Sequence, residues 1–152
     1  MTEAVTAAAG FLIAVVWFDL MFDVQVFRHR RDEVVPEAVT GSIAAYYLRV
    51  TTDASPMGRL VGLVMVALLG ALIAQAATED AALWVSIVSI PAALVGIGLA
   101  GARVFRNAVR LGKREDLQAV QSDLARGIFR DHVICIAAMI TVLAAQLAGA
   151  WA

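Results

Sequence analysis

Four long apolar runs, at about residues 7–27, 60–77, 81–102 and 132–151, alternate with polar stretches along the chain. The first, Ala7 to Phe27, stops at Arg28-His29-Arg30-Arg31, and the second, Leu60 to Ala77, at Thr78-Glu79-Asp80. The third contains Pro91 and stops at Arg103; the fourth runs from His132 to Trp151. A helix needs about 20 apolar residues to cross the hydrocarbon layer of a bilayer. The pattern therefore predicts an all-α integral membrane protein, a four-transmembrane-helix bundle forming a single transmembrane domain over residues 1–152.

Between the spans the period changes. From Pro36 to Val50, the residues Val39, Ile43, Tyr46, Tyr47 and Val50 recur at helical spacing, with Pro36 placed to start a helix. This segment is expected to be an amphipathic helix lying at the membrane interface, where tyrosine is favoured. Thr51 to Gly58 should break it. Before the last span, Leu117, Val120, Leu124 and Ile128 mark one helical face, while Arg114, Glu115, Asp116, Gln121, Asp123 and Arg126 form a face expected to be solvated.

Charge sets an orientation. All twelve Lys and Arg residues fall between Arg28 and Arg59 or between Arg103 and Arg130. Short basic loops stay in the cytoplasm. Both basic loops are thus expected inside and both termini outside, a pattern that fits a bacterial inner (plasma) membrane. A cleavable leader is not expected, since Glu3 is the one charge before the first run and two aspartates interrupt that run. The chain is 61% hydrophobic with a net charge of −1, which suits a lipid bilayer as partner and not nucleic acid. Anionic lipid headgroups are the expected partners of the basic loops. Cys135 is the only cysteine, so no internal disulfide can form.

The candidate chemistry lies inside the first span. Asp19 and Asp23, four residues apart, share one helical face. Counting back from Arg28 at ~1.5 Å per residue puts Asp23 roughly 7 Å and Asp19 roughly 13 Å inside the inner boundary. A buried aspartate at mid-membrane costs on the order of 2.5–3.5 kcal/mol, so the pair should face protein or water. Arg103, Asp131, His132 and Cys135 should lie at a similar depth to Asp23, and Gln25 and Arg28 could extend the cluster. Farther out, Gln75, Ser86, Ser89, Thr141 and Gln146 could bond helix to helix or line a narrow path.

Three readings of this cluster stay open. The aspartates could pair with Arg103 or Arg106 and fix helix register. They could form a cation or proton relay, since neighbouring carboxylates at that depth do not ionise independently. They could also serve a metal or catalytic site with His132 and Cys135, although the ligand spacing is weak and no metal is expected. Gly96-Ile97-Gly98-Leu99-Ala100-Gly101 matches a dinucleotide-binding string but lies in an apolar helix, so Ala92, Gly96 and Ala100 are better read as a packing face, within the chain or between subunits. No triad, HExxH or phosphate loop is present, and no cofactor is implied. The leading expectation is a small homo-oligomeric channel or cation- or proton-coupled transporter. The alternatives are a membrane-embedded enzyme for a lipophilic substrate, with Trp17, Phe18 and Phe22 lining its pocket, and an accessory subunit of a larger membrane complex.

Overall fold

A computed structural model describes residues 1–78 and 81–151. Six α-helices follow in order: α1 (Thr2–Asp23), α2 (Glu37–Leu48), α3 (Ser55–Thr78), α4 (Leu83–Leu99), α5 (Phe105–Lys113) and α6 (Gln118–Ala150), with no strand among the described residues. A tight 3-10 segment (Val24–His29) prolongs α1, and wide π-helical turns (Arg49–Asp53, Ala100–Val104) follow α2 and join α4 to α5. Four continuous helical stretches are long and apolar enough to cross a membrane: Thr2–His29, Pro56–Thr78, Leu83–Lys113 and Gln118–Ala150. Glu79 and Asp80, where the second apolar run stops, lie outside the described residues.

The third stretch does not end at Arg103, where the sequence pattern stops. It continues to Lys113 because Val104, Ala108 and Leu111 carry a buried face onward at spacings of four and three. Charge ended the hydropathic run, but the helical period did not change. The second basic segment is consequently mostly helical, broken only by a turn of a few residues between α5 and α6. There Arg114 adopts a left-handed conformation (φ 53°) and pairs with Glu37 at 3.1 Å.

The α2 segment is helical as expected, and its apolar face is packed into the protein. Thr40, Ile43, Ala44 and Tyr47 are all buried, and Ile43, Ala44 and Tyr47 share a hydrophobic core with Val26, Val35, Ala108, Leu111 and Ile128. Gly112 makes this close docking possible, since a Cβ there would stand 2.9 Å from the Leu48 backbone nitrogen. The preceding loop is pinned to α6: the Val35 N–H donates to Ser122 Oγ (3.0 Å) and Gln118 Nε2 donates to the Val35 carbonyl (2.8 Å). Gln121, expected on a solvated face, is buried, and so is Ser122.

A second core fills the span region, built from Val5, Leu12, Leu68, Leu72, Met139 and Val142 among others. α6 packs along both α1 and α4, whereas the backbone of α3 packs against α1 and α4 but not α6. The space between α3 and α6 is filled in one half and open in the other. Toward the far ends of the helices, Leu68, Leu72 and Gln75 are buried. The amides of Gln75 and Gln146 exchange hydrogen bonds of 2.9 and 3.0 Å, and they also donate to Thr2 Oγ1 and Ser89 Oγ. These polar groups therefore form a closed tie between four helices, while Thr141 merely donates to its own helix. Near the start of α3, Gly58 and Gly62 provide no side chains, and nothing lies within 4 Å of where their Cβ atoms would be. A cavity remains there. The Ala92, Gly96, Ala100 face is used inside the chain, with Gly96 set against Met139 and Ala138 of α6.

Candidate functional site

Three elements bring the ionisable groups together at the junction of the two cores. α1 carries Asp19 and Asp23 on one face; α6 carries His132; α2 presents the adjacent Tyr46 and Tyr47. His132 Nδ1 lies 2.6 Å from Asp23 Oδ2, and the Tyr47 hydroxyl donates to Asp23 Oδ1 at 2.7 Å. The Tyr46 hydroxyl donates to Asp19 Oδ1 at 2.6 Å. The other imidazole nitrogen, Nε2, is 3.6 Å from Asp19 Oδ2, too far for a direct hydrogen bond. Asp23 is 0% exposed, whereas the Asp19 side chain keeps 17% of its surface.

This asymmetry divides the labour between the carboxylates. Asp23, enclosed and doubly bonded, fixes the imidazole: with Nδ1–H donated to it, the free nitrogen is Nε2. Asp19 faces a cavity of about 300 Å³ whose wall also includes His132, Tyr46, Tyr47 and Cys135. Apart from these and Thr51 the lining is apolar, with Leu12, Val16, Val61 and Met65 prominent. Met57, Gly58 and Gly62 on α3 and Gly101 and Phe105 opposite are both lining and exposed, so the mouth lies where α3 parts from α4 and α5.

The expected cluster is thus only partly assembled. Asp19, Asp23 and His132 converge. Arg103 and Asp131 do not join them, pairing instead with each other at 3.2 Å, and Arg130 holds the other Asp131 oxygen. The aspartates are therefore not the partners of Arg103. Gln25 is also outside the network, donating to the Phe22 carbonyl and to Ser42. Cys135 donates its S–H to the Gly96 carbonyl at 3.3 Å. Among the described residues, no three His, Cys, Asp or Glu side chains are arranged to hold a metal ion. Trp17 and Phe18 point away from the cavity and are exposed; Phe22 stacks on Tyr46 with ring centroids 4.0 Å apart.

Tyr46 and Tyr47 belong to this hydrogen-bond network, and sequence reasoning did not identify them as partners of the aspartates. The signal available was chemical: buried carboxylates require donors, and these are the only two tyrosines in the chain. Burial, followed by the facing carboxylates, drives both phenols well above the ordinary tyrosine value of 10.0, so they remain donors. Their contribution to stability is complete below the unfolded value and is lost as pH rises through the higher folded one. An alkaline titration should therefore show no tyrosinate absorbance near pH ~10, with the band emerging at higher pH together with unfolding. Ordinary titration of either phenol in folded protein would contradict the network.

Comparison with protein families, with curated proteins and with solved structures finds no match for this chain.

Proposed function

We propose that this protein is a membrane-embedded enzyme whose His132–Asp23 pair and Asp19 transfer protons to and from a lipophilic substrate. One observation carries the reading: His132, hydrogen-bonded to the enclosed Asp23, and a second carboxylate, Asp19, line a largely apolar cavity that opens between α3 and α4. A carboxylate that orients an imidazole through Nδ1 leaves Nε2 to act as the general base. Asp19, in a different environment from Asp23, is suited to the complementary acid or base role. The mouth lies among exposed apolar residues, which favours entry of substrate from the lipid.

The orientation that accompanies this reading puts both termini outside and α2 with both basic segments in the cytoplasm, in a bacterial inner membrane; the basic-inside pattern supports it. The mouth then opens at the inner leaflet. A transport relay through one chain would need polar groups leading outward from Asp19. In that direction the interior first holds Leu12, Leu68, Met139 and Val142, and the polar groups beyond, Gln75 and Gln146, are bonded to each other and to Thr2 and Ser89. The cavity is complete within one chain, so catalysis requires no homo-oligomer, whereas transport would require one to widen a path.

The test uses protein purified in mild detergent. Mass spectrometry of its organic extract should find a lipophilic compound retained by wild type and by Asp19→Asn but lost from Gly62→Leu, whose side chain fills the mouth. In heavy water, wild type should exchange deuterium into that compound, and Asp19→Asn should do so at least ~100-fold more slowly. No retained compound, together with proton flux in proteoliposomes that Asp19→Asn abolishes, would replace this reading with the relay.

A further inference from the structure

A groove between α5 and α6, separate from the cavity, collects Arg103, Asn107, Arg110, Arg126 and Arg130 around an open floor at Gly127. Two of these arginines are already committed. Arg110 makes a two-pronged bond to Asp116 at 2.7 and 2.8 Å, and Arg126 donates to the backbone carbonyls of His29 and Asp32. Arg103 and Arg130 differ. Both converge on the buried carboxylate of Asp131, Arg103 through Nε and Arg130 through Nε and one terminal nitrogen. A guanidinium carries five N–H donors, so each keeps outward donors, and one carboxylate shared by two cations leaves a positive charge. Asp131 thereby holds side by side two groups that would otherwise repel.

We propose that Arg103 and Arg130, with the Asn107 amide, bind the phosphate of an anionic phospholipid headgroup. Bidentate guanidinium donors match phosphate geometry. The depth also fits, because both arginines stand where the apolar stretches of α4 and α6 end. Val133 and Ile134, on the same face of α6 as Arg130, are exposed and offer an apolar track for an acyl chain. The acidic side chain at the rim, Asp123, limits the affinity.

Native mass spectrometry of detergent-solubilised protein titrated with phosphatidylglycerol or phosphatidylcholine tests the site. Phosphatidylglycerol should bind preferentially. Asn107→Asp should weaken it by about fivefold or more, and Asp123→Asn should tighten it several-fold, consistent with the usual effect of one charge at a membrane surface. Neither substitution touches the Asp131 clamp. Millimolar inorganic phosphate should not displace the lipid; displacement sensitive to Asn107→Asp would overturn the lipid assignment in favour of a soluble phosphate. Equal binding of both lipids, unchanged in both variants, would remove the site altogether.

Discussion

Asp23→Leu should destabilise the folded protein by about 3–5 kcal/mol, whereas Asp19→Asn should change its stability by less than about 1 kcal/mol. The difference follows from enclosure. Asp23 is fully buried and accepts from both Tyr47 and His132, so its loss leaves these two buried groups only their long 3.4 Å contact with one another. Leaving a buried donor unpaired costs more than the bond itself contributes. At position 19, asparagine still accepts from the Tyr46 hydroxyl, and the side chain retains contact with the cavity. Reversible unfolding in mixed micelles would measure both. Equal losses would mean that the two carboxylates are not divided into one that orients and one that reacts. Asp19→Asn should nevertheless lose proton transfer, giving a folded but inactive protein.

The second large effect is expected at a position without any chemistry. Gly112→Leu should push α2 away from α5, costing about 1–3 kcal/mol or more by overpacking. The added Cβ would meet Leu48 N at 2.9 Å and Leu48 Cα at 3.2 Å. These are backbone atoms, so the whole helix must move. Tyr46 and Tyr47 move with it and leave Asp19 and Asp23 without their phenol donors. The tyrosinate band should then rise near pH ~10, while Gly98→Leu, where nothing lies within 4 Å, should leave both stability and titration unchanged. A silent titration in Gly112→Leu would show that α2 docking does not hold the network.

The sequence showed four helical spans because hydropathy and length suffice to define a span, and it placed Asp19 and Asp23 on one face because they are one turn apart. Their partners were harder to read. Arg103 offered an obvious counter-charge at the right depth, yet Asp131 takes it, being packed against the same arginine from α6. Tyr46 and Tyr47 conformed to an interfacial pattern, because a helix buried by docking and a helix lying on a membrane have similar periodicities. The extension of the third stretch to Lys113 was hidden for a related reason: a cut-off at the first arginine measures hydropathy, and Val104, Ala108 and Leu111 reveal themselves only as a spacing.

By itself, then, the sequence determined an all-helical chain with four helices long and apolar enough to cross a membrane and an acidic face on the first of them, since these depend on local periodicity and run length. Tertiary structure alone decided which groups meet that face. α2 folds back over α1 and α6, Asp23 is enclosed while Asp19 reaches a cavity, and that cavity exists because α3 carries glycines where it parts from α6. Such contacts join residues separated by up to 109 positions, as between Asp23 and His132. No local pattern encodes that pairing; it arises from how the helices fill the space between them.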